Sequence, residues 1–249
     1  MCVLLLIKRP LPGFSWVMAT NRDEDPQRAA TPPGLHLSHG VKFLAPRDKK
    51  AGGTWIGVNE VGLGCALTNI GMGSGGKTFF SRGLLVFEAL GHRRLGEAAE
   101  AIRKRCSQVP LQPFRMVLFE GDRCLLLEWH KEKLLEQGFE GDFLFFTHQW
   151  GPGEAWIPGL EEGTASFGDK EIEDLIYHLQ VVLATGRGHG VQGHETFPLC
   201  RCEGNPRTVS CSMIAVPEEM PEGLRFFHSN GDPLSSPLLD YSGLWKRLV

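Results

Sequence analysis

The chain has 249 residues, 42% of them hydrophobic, enough to build a buried core and to exclude a disordered polypeptide. Lys and Arg number 26 against 29 Asp and Glu, a net charge of −3, and the longest basic run is only Arg103-Lys104-Arg105, so nothing suggests nucleic acid as a ligand. Seven cysteines scattered from Cys2 to Cys211 form no disulfide framework and fit a reducing, cytoplasmic setting.

Residues 1 to 7 are an apolar run too short to span a bilayer, and Lys8 and Arg9 follow it where a signal peptide has its positive charges in front. No transmembrane segment is expected. The segment Lys8-Arg9-Pro10-Leu11-Pro12-Gly13 breaks both strand and helix, so residues 1 to 7 and 14 to 19 are predicted to pair as an antiparallel hairpin. That returns Thr20 and the polar cluster Asn21-Arg22-Asp23-Glu24-Asp25 to the neighbourhood of Cys2.

Residues 26 to 40, rich in Pro, Thr, Gly and His, read as a surface loop, with His36 and His39 lacking a carboxylate or thiol at metal-ligand spacing. Strands follow at 41 to 45, 54 to 58 and 63 to 68, with Pro46-Arg47-Asp48 and Gly52-Gly53 marking tight backbone between them. Gly71-Met72-Gly73-Ser74-Gly75-Gly76-Lys77-Thr78 matches the phosphate-loop pattern, which would make a nucleotide the ligand. The neighbouring strands look antiparallel rather than crossover-linked, which favours a glycine linker there.

Helices are predicted over 81 to 90 and 95 to 106, then antiparallel strands over 114 to 120, 123 to 130 and 143 to 147. Residues 150 to 168 read as a long loop, 169 to 184 as a third helix, and 186 to 194 as a flexible segment. His189, His194, Cys200, Cys202 and Cys211 offer iron or zinc ligands, though in no standard spacing, so the metal is unknown. The last strands span 208 to 216 and 224 to 227. Strand pairs alternating with helices predict an α+β fold, two stacked, mainly antiparallel sheets covered by helices.

The reactive group with most chemical promise is Cys2. Removal of Met1, which a small second residue permits, would give one residue a thiol and a free α-amine, and the amine, with a pKa of about 7.7–8.0, can serve as base for the thiol. Asp23 and Arg22 nearby would orient the amine and hold the thiolate. As a plain alternative, Cys2 is a small apolar residue opening a buried strand.

The ordered series Cys2, Asn21-Arg22-Asp23-Glu24, Arg47-Asp48, Gly52-Gly53-Thr54-Trp55-Ile56-Gly57, Ala66-Leu67-Thr68-Asn69 and Ser81-Arg82-Gly83 resembles the NRDE family, also called the transport and Golgi organisation family. The likeness is dense over residues 1 to 90, and it implies a single domain over 1–249. The family resembles N-terminal-nucleophile hydrolases of the cysteine type, which fold as αββα sandwiches and cleave amides such as those of bile salts and penicillin. By that resemblance Cys2 attacks the carbonyl, Asp23 holds the α-amine, Asn69 donates to the oxyanion, and Arg207 binds a substrate carboxylate or steadies Cys2. Asn21, Arg22, Glu24, Arg47 and Trp55 would then line the ligand site.

Two positions depart from the hydrolase pattern. Thr20 stands where the hydrolases have Arg, and Thr147-His148 where a second Asn is expected. Each missing donor removes about 2.7–4 kcal/mol of transition-state stabilisation. The resemblance also implies intracellular haem trafficking, and lipid or acyl-CoA handling in eukaryotic members. The expectations are therefore a cytoplasmic protein that carries haem or another amphipathic small molecule between donor and acceptor proteins, with no other cofactor. The alternative is a Cys2-dependent amidohydrolase or acyltransferase.

Overall fold

The structure, a computed structural model, describes residues 2–71, 79–149, 151–152, 155–157, 171–190 and 196–247. The first strands are β1 (Val3–Lys8), β2 (Phe14–Glu24), β3 (Ala30–Ser38), β4 (Val41–Asp48), β5 (Ile56–Asn59) and β6 (Gly64–Asn69). Helices α1 (Arg82–Leu90) and α2 (Leu95–Gln108) precede β7 (Phe114–Glu120), β8 (Arg123–His130), β9 (Lys133–Gly138), β10 (Phe143–Thr147) and β11 (Ala155–Trp156). Then come α3 (Ile172–Thr185), β12 (Arg187–Gly190), β13 (Thr196–Pro198), β14 (Arg207–Pro217), β15 (Arg225–Ser229) and β16 (Leu239–Asp240). The class is α+β, as predicted, with every strand pair antiparallel among the described residues.

The chain divides into two compact units. The first joins Met1–Gln27 to Gly141–Ser242, and its main sheet runs β10-β1-β2-β14-β15-β16. The hairpin of β1 and β2 is the predicted one, with Val3 opposite Asn21 and Lys8 opposite Trp16. Strand alternation sends Val3, Leu5, Ile7, Val17, Ala19, Met213 and Ala215 to one face, where they pack on Ile172, Leu175, Ile176, Leu179 and Leu183 of α3. Leu4, Leu6, Trp16 and Met18 on the other face are equally buried, which explains why β1 is continuously apolar rather than alternating.

The second unit, Arg28–Glu140 with Gly243–Val249, is a seven-stranded meander from β3 to β9 in chain order. Helices α1 and α2 bury Leu85, Val86, Ala89, Ala98, Ala99 and Ile102 against Phe43, Cys65, Phe114, Met116 and Leu118 of that sheet.

Four expectations change, the first at residues 155–156 of the expected long loop, which form β11 paired with β12. Residues 30–38, read as loop, form β3; it is an edge strand, so Pro32 and Pro33 sit at a register shift between Thr31 and Gly34 without removing a needed ladder bond. Residues 133–138 form β9, an edge strand too polar and exposed to announce itself by alternation. Residues 187–190, read as flexible, form β12, paired with β13. The phosphate-loop residues from Met72 to Thr78 and His194 lie outside the described residues.

Candidate active site

The end of β2 is fixed on both sides, by β1 and by β14. On the β14 side Asn21 faces Cys211, Arg22 faces Ser210, Asp23 faces Thr208 and Glu24 faces Arg207, with a register shift between Thr208 and Ser210. Such bulges re-aim side chains beside functional sites. Cys2 immediately precedes β1, and its carbonyl accepts a hydrogen bond from the His148 amide at 3.2 Å, just past the end of β10. Its thiol is half-buried and donates to the Asp23 backbone carbonyl at 3.7 Å. The sulfur therefore sits against the polar end of β2 and is not sealed among aliphatic side chains.

Asp23 is buried, and its carboxylate Oδ1 accepts a hydrogen bond from the Thr208 hydroxyl at 2.6 Å. The same hydroxyl accepts the Arg201 amide at 2.8 Å, while the Thr208 amide donates to the Arg201 carbonyl. Asp23 Oδ1 is thus oriented by a charge-assisted hydrogen bond from a fixed donor. Thr208 was missed in the sequence; its adjacency to the expected Arg207 was the available signal. Arg207 itself is exposed, and its backbone faces Glu24 across the ladder.

Arg22 is buried, 3.7 Å from Glu24 Oε2. Its charge, after burial, helps to depress the pKa of His228 to about 4, against an opposing hydrogen bond with Asn230. Opposite Arg22, the buried Ser210 hydroxyl has no hydrogen-bond partner among the described residues.

Asn21 is fully buried. Both hydrogens of its amide are committed, to the carbonyls of Leu183 at 2.9 Å and Leu199 at 2.8 Å. Leu183 lies in the last turn of α3, where carbonyls lack intrahelical partners, so Asn21 ties the helix end and the segment after β13 to β2. It positions the strand that carries Asp23.

Arg47, Trp55 and Asn69 belong to the second unit. Arg47 is exposed, donates from Nε to the Gly52 carbonyl at 3.0 Å and lies 5.7 Å over the Phe87 ring. Beside it the buried Asp48 accepts Arg28 Nε at 2.8 Å and the amides of Lys50 and Ala51, closing the loop from 48 to 53. Gly53 lets that loop touch α1, where an added Cβ would stand 2.3 Å from the Gly83 carbonyl carbon, and Thr54 donates its amide to the Gly83 carbonyl. Trp55 is buried, and Asn69 is half-buried at the end of β6 opposite Phe114.

The metal ligands expected after residue 186 assemble only in part. Cys200 and Cys202 meet Asp232, whereas Cys211, buried on β14, and His189, on β12, are not in that group. Burial pushes the Cys200 thiol up to about 12, with its hydrogen bond to Cys202 adding to the rise. His36 bonds the Ala45 carbonyl and packs on Phe43 and Phe87, a structural placement.

Residues 1–139, which include Cys2 and all of β2, match the family described as Transport and Golgi organisation 2. The chain belongs to that family. The matched segment ends before β14, so the Thr208 partner of Asp23 comes from outside it. Comparison with curated protein sequences finds no match.

Among solved structures, this Transport and Golgi organisation 2 chain is similar to a mutant conjugated bile acid hydrolase from Clostridium perfringens, at 13% identity and a TM-score of 0.56 over 98% of this chain and 93% of that one. Another variant of that enzyme gives 14% and 0.55, over 97% and 93%. A Caenorhabditis elegans ortholog of N-acylethanolamine-hydrolyzing acid amidase gives 12% and 0.51, over 96% of this chain and 100% of that one. These likenesses establish an N-terminal-nucleophile-hydrolase-like fold. No described helix is long and apolar enough to cross a membrane.

Proposed function

We propose that this protein is a cysteine amidohydrolase or acyltransferase that uses Cys2 as an N-terminal nucleophile. The observation that carries the reading is the Cys2 thiol against the end of β2, where Thr208 orients the buried Asp23 carboxylate. Removal of Met1 frees the Cys2 amine, and the β1–β2 register, continued back from Val3 opposite Asn21, brings that amine to the level of Arg22 and Asp23. Asp23 holds the amine, and the amine takes the thiol proton. The sulfur attacks the amide carbonyl, the C–N bond breaks as the leaving amine receives the proton, and a thioester remains for water or a second amine to resolve.

Conjugated bile acids and N-acylethanolamines, named for the neighbours in fold, both join an amine to a lipid-like acyl group, and they are the first substrates to try. Intact-mass measurement establishes whether Cys2 is the first residue, and an acyl-amide screen compares the wild type with Cys2→Ala. Loss of turnover in the variant is expected. Equal turnover rejects the reading.

A second reading, ligand binding without turnover, is favoured by the two departures from the hydrolase pattern. The Thr20 hydroxyl donates to the Val3 carbonyl at 2.6 Å, and the Thr147 hydroxyl accepts the Gln149 amide at 3.1 Å, so each is committed to backbone. Haem or a similar amphipathic molecule, exchanged with donor and acceptor proteins, is the ligand this reading implies. Titration with haem followed by absorbance tests it, and an unchanged spectrum rejects it.

A further inference from the structure

The hairpin of β14 and β15 brings together two segments that are distant in sequence. Cys211 on β14 pairs with Ser229 on β15, so the chain entering β14 and the chain leaving β15 meet at one end of the hairpin. Cys200 and Cys202 lie on the first and Asp232 on the second. Their sulfur and carboxylate atoms all fall within 4.8 Å of one another, with the two sulfurs 3.5 Å apart.

That separation is far beyond the ~2.0 Å of a disulfide bond. It is near the ~3.8 Å expected of two sulfurs each ~2.3 Å from one tetrahedral zinc ion. The third donor is pre-oriented: Asp232 Oδ1 accepts the amides of Leu234 and Ser235, and Oδ2 accepts the Ser235 hydroxyl. Outer bonds of this kind are what fix a metal-ligating carboxylate. Arg201, between the two cysteines, is held by paired hydrogen bonds to Thr208.

We propose that Cys200, Cys202 and Asp232 form a three-ligand site for zinc or another thiophilic divalent cation, with a fourth position open to water. Binding forms two metal–sulfur bonds and one metal–oxygen bond and releases the two thiol protons to solvent. The ion would lock the segment between β13 and β14, and through Arg201 and Thr208 would steady the hydroxyl that orients Asp23. The inference stands apart from any activity of Cys2.

Cobalt(II) and zinc serve as probes on the full-length protein after reduction. One cobalt ion per chain is expected, with thiolate charge-transfer absorption and the intense visible bands of tetrahedral coordination, bleached by equimolar zinc. Cys202 is exposed, so Cys202→Ser should fold normally; it should weaken zinc, read by competition with a chromophoric chelator, at least about tenfold. Asp232→Asn should keep the charge-transfer band while shifting the visible bands. Absence of a charge-transfer band, affinity unchanged in Cys202→Ser, or a Cys200–Cys202 disulfide that takes up no metal once reduced would each overturn the proposal.

Discussion

Lowering the pH from 7 to 5 should destabilise this protein through His228. Its ring is 1% exposed. Nδ1 lies 2.8 Å from the Ser212 hydroxyl and Nε2 lies 3.1 Å from Asn230 Oδ1. The neutral ring therefore donates from Nε2 and accepts at Nδ1, and a second proton would displace the Ser212 donor. Arg22 repels that proton, and Tyr241 covers the ring edge-on at 6.2 Å between centroids.

Burial depresses the folded pKa from 6.5 to about 4. The folded state thus resists protonation, so the stability His228 confers is complete above about pH 6.5 and is lost as pH falls toward 4. Between pH 7 and 5 the loss works out at about 2 kcal/mol, approaching about 3 kcal/mol below pH 4. Urea unfolding at pH 7, 6 and 5, comparing wild type with His228→Gln, isolates this contribution because other groups titrate alike in both. The variant should have the flatter profile by about that amount; parallel profiles would refute the assignment.

Other predictions follow from single contacts. Thr208→Val removes the donor to buried Asp23 and should cost about 1–3 kcal/mol in urea unfolding; under the hydrolase reading it should lower kcat more than it raises KM. Asn21→Leu strands the Leu183 and Leu199 carbonyls at roughly 1–3 kcal/mol each, read as a lower Tm and faster hydrogen exchange at the end of α3. Gly53→Ala forces the loop off α1 and should destabilise by at least about 2 kcal/mol, measured by thermal melting.

What the sequence disclosed, and what it withheld, follows the range of each interaction. The β1–β2 hairpin was legible because its turn is local, and α1, α2 and α3 because their apolar stripes are. The strand at 30–38 was hidden by Pro32 and Pro33, which an edge strand tolerates, and β9 by its polar, exposed surface. At the site, Cys2 and Asp23 could be named from motif, but the partner of Asp23 is Thr208, 185 residues away. The same distance effect hid the contacts of Asn21, whose partners lie 162 and 178 residues on. The tight pairing of Gly53 with Gly83 likewise links two motifs that are separate in sequence.

The pairing of β2 with β14 also constrains biosynthesis. The strand that receives the Cys2 thiol emerges from the ribosome with one flank bare, and its permanent neighbour arrives only after Arg207 has been translated. Until then an apolar ribbon must be shielded from wrong partners, and such long-range closure is slow. Any chemistry at Cys2 is consequently withheld until β14 has been made, so a chain stalled before that strand would present the thiol without its finished surroundings.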